Sequence, residues 1–399
     1  MSAPLRVLCL DIEGGYGGSS RSLFESLLHM DRNAVAPEVW CRRDGPARSW
    51  YAGIGVPCRI EPAMPRVSSL PRLSRNLRAY AEFARAFFHA KPFRARLAGE
   101  GKRFDLVHFN HEGLFLLARW LRRHLDRALT MHIRTMLAPS AFARWQARVI
   151  ARVADRCAFI TENEQRRMSA LAGATLPGAV INNIARAPNG VGCDPDVPQD
   201  GRLAVAVLSN YAWVRGVDRV VDIAERLAAR GSRDVRFVVA GDMRLRGTLP
   251  GRLGQLAREH KTLADFARER DVGDYFLFLG HVDRPETVLA AAHALIKPSR
   301  EDNPWGRDII EALAAGRPVL AVGSYDRFVN GETGHLLPEF DADRAAEVLL
   351  AWARDRALPA RLGAAGARRV GELCNGPARA ADLLGLWRNA VASHGRPAA

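Results

Sequence analysis

The sequence predicts an α/β protein made of two parallel-sheet domains of Rossmann-like type. Three observations carry this. Apolar runs of strand length alternate with amphipathic helical segments from Arg6 to Leu336, the order that builds βαβ units and parallel sheets. The alternation is interrupted once, at Ala187-Pro188-Asn189-Gly190-Val191-Gly192-Cys193-Asp194-Pro195-Asp196-Val197-Pro198. That proline-, glycine- and aspartate-rich run reads as a linker. A chain of 399 residues, 48% of them apolar, is long enough to bury two cores.

The elements follow in order. Arg6 to Asp11 reads as a buried strand, Ile12 to Ser20 as a glycine-rich loop, and Leu23, Leu27 and Leu28 as the apolar face of a helix. Strand, glycine loop, helix is the layout of a phosphate or nucleotide site. The next strand, Val35 to Trp40, ends in Cys41-Arg42-Arg43 and supplies no acid for a dinucleotide ribose. Arg66 to Arg103 is strongly basic, with only Glu82 and Glu100 against ten arginines and lysines. Leu73, Leu77, Tyr80, Ala84, Phe87 and Phe88 share one helical face there. A basic helix with an aromatic face suits an anionic membrane surface, and equally a helix packed on its own sheet. Asp105 to His111 and Leu129 to Thr135 are strands whose ends place His108, His111, His132 and Arg134 together. After the linker come strands at Leu203 to Leu208, Val235 to Ala240 and Tyr275 to Leu279. The stretch from Leu295 to Val322 then reads strand, loop, helix, turn, strand. Pro304 to Arg307 break the chain, Asp308 suits a first helical turn, and Gly316 with Pro318 ends the helix. Its loop falls at a strand's carboxyl end and a helix's amino end, where α/β sheets bind anions. Gly323 to Leu336 reads as a strand edge with a hairpin turn.

The totals bound the partners. Lys and Arg number 58 against 43 Asp and Glu, a formal charge of +15. That suits nucleic acid, anionic lipid or phosphorylated substrates. No RRM, KH, zinc-finger or helix-turn-helix pattern supports nucleic acid. Six scattered cysteines without a CxxC pair point to reduced thiols in a cytoplasm and away from a zinc site. The first residues carry no signal-peptide pattern, and no window predicts a membrane span.

Residues 295–322 resemble the donor site of family 4 GT-B glycosyltransferases, whose pattern is P-S-x-x-E-x-F-G-x-x-x-x-E-A-x-A-x-G-x-P-V. Here it is met by Pro298-Ser299, Trp305-Gly306, Glu311-Ala312, Ala314, Gly316 and Pro318-Val319. The first acid of the pattern is replaced by Asn303, with Glu301-Asp302 just ahead. In the pattern G-R-x-x-x-x-K-G, Arg215 before Gly216 takes the Lys position and Asn210 the Arg position, leaving Arg300 and Arg307 to supply a second charge. The resemblance extends to the glycine loop with Gly17 and Gly18, to the histidines, and to Ala179 to Asn183.

The resemblance implies a GT-B fold, two Rossmann-like domains facing a central cleft. The expected domains are an acceptor-side domain at 1–195, a donor domain at 196–375, and a helix at 376–399 that crosses back to the first domain. It implies a retaining transfer of a hexose from a nucleotide-sugar donor to a saccharide or lipid-linked acceptor in cell-surface glycan synthesis. No metal or other cofactor is implied. Glu311 would hold the ribose, Arg215, Gly216 and the helix start the diphosphate, and Asn303, Pro304, Trp305, Gly306, Arg307 and Ile310 the sugar side. His132 would complete the sugar pocket, and Gly17 and Gly18 would lie under the donor. The basic 66–103 region would rest on the inner face of the plasma membrane. The alternatives are a GT-B paralogue that binds a nucleotide sugar without turnover, a GT-B epimerase, and a dehydrogenase.

Overall fold

The computed structural model describes residues 3–66, 85 and 87–395. The chain divides into two compact units. One comprises residues 1–184 with 376–399, the other residues 185–375. The linker run belongs to the second unit. Asp194 accepts a hydrogen bond from Thr287 Oγ1 at 3.1 Å, and Val197 is buried.

The first unit is built on β1 (Leu5–Asp11), β2 (Val35–Cys41), β3 (Cys58–Ile60), β4 (Leu106–Phe109), β5 (Ala128–Ile133), β6 (Arg156–Phe159) and β7 (Gly178–Val180). Their order across the sheet is β3-β2-β1-β4-β5-β6-β7, with every pair parallel. A parallel sheet covered on both faces needs strands that are apolar on both sides. β1 meets this: Val7 and Cys9 enter one core and Leu8 and Leu10 the other. The helix Gly376–Ser393 belongs to this unit, with Leu383, Leu386, Trp387 and Ala390 packed beside Ala158 and Ile181.

The second unit is built on β8 (Leu203–Leu208), β9 (Val235–Ala240), β10 (Phe276–Gly280), β11 (Ala294–Lys297), β12 (Val319–Val322) and β13 (Gly334–Leu337), in the order β10-β9-β8-β11-β12-β13. The expected hairpin after β12 is not formed. β13 runs parallel to β12, with Val319 opposite Gly334 and Val322 opposite Leu337. The turn residues Asn330 and Thr333 close an irregular crossover instead, where Thr333 Oγ1 donates to the Phe328 carbonyl at 2.7 Å.

In each sheet the strand order reverses beside the first strand of the unit, between β1 and β4 and between β8 and β11. Ligands of open α/β sheets bind at that reversal, outside the carboxyl ends. The loops after β1 and β4, and those after β8 and β11, are therefore the places to look.

The basic region expected to meet a membrane falls mostly outside the described residues. Where it is described, carboxylates from other elements meet its arginines: Arg96 pairs with Glu61 at 2.5 Å and Arg103 with Glu38 at 2.7 Å. Arg94 is buried against the Phe87 and Trp120 rings. Phe88 stands 73% exposed.

Candidate functional site

In the second unit, the loop after β8 and the loop after β11 lie against each other. Gly216 takes a left-handed conformation, φ 68°, and a Cβ there would sit on the Pro298 carbonyl oxygen. Ser299 Oγ and the Arg300 N–H both donate to the Val214 carbonyl, at 3.0 and 2.9 Å. Arg219 reaches back to the Pro298 and Ser299 carbonyls. Arg300 is committed: it grips the buried Asp218 with both Nη atoms, at 2.9 and 2.5 Å, and lies 3.5 Å over the Trp213 ring. It is therefore not the spare cation expected from sequence. Asn210 is also spent on structure, since its Oδ1 accepts the Asp242 N–H at 2.8 Å and ties the β8 loop to the β9 loop. Arg215 is exposed and forms no ion pair among the described residues.

The loop after β11 is held from both sides. Asp302 takes the Ser324 N–H at 2.8 Å and the Ser324 hydroxyl at 2.5 Å. Trp305 is buried and meets the Tyr325 ring edge-on at 5.1 Å. The N–H groups of Asn303 and Trp305 already donate, to the Glu301 and Asn303 carbonyls, and Pro304 has none. The Gly306 N–H makes no hydrogen bond among the described residues. Asn303 Oδ1 is a buried acceptor without a partner. Gly306 caps the helix Arg307–Ala314 in an extended conformation without a side-chain cap of its own, and Asp308 Oδ1 accepts the Ile309 N–H at 3.0 Å. A polar acceptor and the undonated Gly306 N–H on one loop suit a ligand with hydroxyl and phosphate groups.

Glu311 lies one turn into that helix, its side chain 17% exposed, and accepts from Arg307 Nη2 at 2.7 Å and Nε at 3.0 Å. Ile310 is in the core. Lys297 was not expected. It ends β11, is buried, and donates to Asp308 Oδ1 at 2.7 Å, passing so close to Gly306 that a Cβ there would meet its Nζ. A lysine closing the apolar run Ala294-Leu295-Ile296 was the available signal, because a buried ammonium demands an acid nearby.

In the first unit, Asp11 ends β1 fully buried. It accepts from the Gly14 N–H at 3.1 Å, the Ser20 hydroxyl at 2.5 Å and Asn110 Nδ2 at 2.9 Å. The positive φ values of the loop fall on Gly14 and Gly15, at 64° and 100°. Gly17 caps the helix Gly18–Leu28 in an extended conformation, with no room for a Cβ beside the Glu13 carboxylate. That carboxylate accepts from Ser19 Oγ at 2.6 Å.

His132 and His108 are buried, their rings 5.7 Å apart and edge to face. Their Nε2 atoms find no partner among the described residues. Trp387 Nε1 donates to His108 Nδ1 at 3.2 Å; indole can only donate, and the Thr130 hydroxyl, 2.9 Å from the same nitrogen, is able to donate as well. The His108 proton is thus on Nε2. Arg134 Nη2 lies 3.1 Å from His132 Nδ1. Guanidinium also only donates, so His132 too carries its proton on Nε2. His111 instead caps a short turn, its Nδ1 accepting the Gly113 N–H.

Burial holds both imidazoles neutral, and the nearby Arg134 charge adds to it. His132 is pushed well below the ordinary value of 6.5 and His108 to about 3. Below pH 6.5 an unfolded chain protonates these rings while the folded chain does not, so their contribution is present above 6.5 and is lost on acidification. For His108 the loss at pH 5 is about 2 kcal/mol. Urea unfolding at pH 7.5 and 5 should therefore show wild type losing more stability than His108→Gln by about that amount. Equal losses would count against the buried neutral ring.

Residues 196–369 match the family described as glycosyl transferases group 1, and residues 17–183 match a glycosyl transferase 4-like domain. A phosphatidyl-myo-inositol mannosyltransferase of Mycobacterium leprae is 27% identical over 288 residues, which is 67% of this chain and 69% of that protein. The Anabaena protein HepE, solved in complex with UDP-glucose, is similar with a TM-score of 0.74 at 17% identity, covering 96% of this chain and 99% of its own. Sucrose-phosphate synthase of Thermosynechococcus elongatus is similar with a TM-score of 0.73 at 20% identity, covering 98% and 100%. Two successive family matches along the chain, and the parallel sheets they fall on, establish that this protein belongs to the family 4 GT-B glycosyltransferases and is a glycosyltransferase.

Proposed function

We propose that the protein transfers a hexose from a nucleotide-sugar donor to a saccharide or lipid-linked acceptor, with retention at the anomeric carbon, in cell-surface glycan synthesis. The observation that carries the donor is the loop after β11. It presents the Gly306 N–H and Asn303 Oδ1, neither bonded among the described residues, at the strand-order reversal of the second sheet. In this reading Glu311 accepts the two ribose hydroxyls. The exposed Arg215, Gly216 and the helix start stabilise the diphosphate as the glycosidic bond breaks. Asn303 and Gly306 hold sugar hydroxyls, while Pro304, Trp305, Arg307 and Ile310 shape and brace that loop. In the first unit, the His132 Nε2–H and the loop at Gly17 and Gly18 are the groups that bind sugar and phosphate in this reading. The acceptor oxygen takes the place of the leaving phosphate oxygen on the same face. No metal enters the reading.

The lipid in the name of the Mycobacterium leprae relative supports a lipid-linked acceptor. The exposed Phe88, next to a basic stretch, supports a peripheral seat on the inner face of the cytoplasmic membrane. Among the described residues no helix is long and apolar enough to cross a membrane.

The test is calorimetry against UDP, GDP and their hexose conjugates, followed by product analysis with the donor that binds. Binding and transfer support the reading. Binding without hydrolysis or transfer to saccharide and lipid acceptors would favour the silent paralogue. A folded protein that binds none of these nucleotides would sink the donor site.

A further inference from the structure

His132 is not held by a carboxylate or a carbonyl, the usual partners of a working imidazole. It is held by a cation. Arg134 Nη2 donates to His132 Nδ1 at 3.1 Å and to Asn110 Oδ1 at 2.5 Å. Arg134 Nε donates to the Asn110 carbonyl at 3.0 Å, and Nη1 to Asn183 Oδ1 at 3.1 Å. The backbone N–H of Arg134 donates to Glu112 Oε2 at 2.9 Å. Asn110 in turn donates to Asp11, the residue that anchors the glycine loop. An unbroken line of hydrogen bonds thus runs from the glycine loop through Asp11, Asn110 and Arg134 to His132.

The direction of that line has a chemical consequence. Guanidinium stays charged and cannot accept, so Nδ1 can only be the lone-pair end. The proton sits on Nε2, which is buried and has no partner among the described residues. A second proton on Nδ1 would collide with the guanidinium. We propose that Arg134, oriented by Asn110, is a positioning residue that keeps His132 a permanent Nε2–H donor, unable to serve as a base. The groups around the ring agree: Arg134, His108 and His111 all disfavour a charge on it. Glu112, an acid on the neighbouring loop, is occupied by the Arg134 N–H and the Thr135 hydroxyl. The task assigned to that donor, holding a sugar hydroxyl, rests on the function proposed above. The tautomer does not.

The experiment is nitrogen-15 NMR of the histidine side chains in the full chain, with His132→Gln to assign the signals. Wild type should show His132 with a pyrrole-type Nε2 and a pyridine-type Nδ1, unchanged between pH 8 and 5. In Arg134→Met the ring should exchange tautomers or titrate inside that range. Arg134→Lys keeps a donor and a charge and should recover the wild-type tautomer in part. A wild-type His132 protonated on Nδ1, or titrating between pH 8 and 5, would overturn the proposal. So would a folded Arg134→Met with an unchanged ring. Kinetics separate the two readings. Arg134→Met should lower kcat about tenfold or more and make it fall toward low pH, with the donor KM changed less. If the tautomer behaves as stated but no transfer occurs, the functional reading fails and the positioning assignment stands.

Discussion

Glu311→Ala should reduce nucleotide affinity by about a hundredfold, the combined worth of two hydrogen bonds to a charged acceptor. The expectation rests on where the carboxylate sits. It lies largely buried one turn into the helix Arg307–Ala314, paired with Arg307. Ribose hydroxyls binding there must share or displace that guanidinium. Arg307 is therefore expected to act on affinity in the opposite sense. Arg307→Ala should leave nucleotide binding near wild type or tighten it, because the guanidinium no longer competes for the carboxylate. Glu311→Gln separates charge from shape, retaining an acceptor but not the ion pair. Calorimetry with the nucleotide that binds wild type reads all three. Unchanged affinity in Glu311→Ala would remove the residue from the donor site and leave the Arg307 pair as a helix brace.

Gly216→Ala should be among the most damaging single substitutions in the second unit, costing about 3 kcal/mol or more. Two penalties add. A left-handed φ of 68° costs an L side chain about 1–2 kcal/mol. The new Cβ would also strike the Pro298 carbonyl oxygen, a backbone atom that cannot swing aside. The damage would reach function, because Pro298 begins the loop that carries Asn303 and Gly306. Gly231→Ala is the control. Its φ is 66°, yet nothing lies within 4 Å of the added carbon. It should cost only the conformational part, about 1 kcal/mol. Thermal melts that resolve the second unit should place Gly216→Ala well below Gly231→Ala, by several degrees. Equal melting points would mean the two loops can move apart freely.

Asn303 and Asn210 show how far a motif reads. Both stand where the family pattern has a charged residue. The structure treats them differently. Asn210 is spent on the Asp242 N–H, whereas Asn303 keeps a buried oxygen without a partner. The pattern marks both as departures, and only the neighbours decide which remains free for a ligand. The same holds for the arginines considered as replacements. Arg300 and Arg307 are alike in sequence, but each is committed to its own acid, Asp218 and Glu311.

The basic composition of 66–103 is similarly incomplete by itself. Glu61 and Glu38, on distant stretches of chain, arrive to pair with Arg96 and Arg103. The hairpin expected near Thr333 failed for a related reason. Turn residues are local, but whether the following strand pairs parallel or antiparallel depends on where the sheet has an open edge.

Local chemistry was enough for the sequence to determine the two α/β series, the linker composition and the strand-loop-helix at 295–322, while resemblance to the family pattern marked Glu311, Arg215 and His132 as residues to watch. Periodicity, breakers and spacing act over a few residues and are written into the chain. The tertiary structure alone decided the strand order, with its reversals beside β1 and β8, and the Lys297–Asp308 pair under the loop after β11. It also decided the line from Asp11 through Asn110 and Arg134 that sets the proton on His132. Those are contacts between residues far apart in the chain. Their direction follows from which groups can only donate, and that becomes legible once folding has put the donors and acceptors side by side.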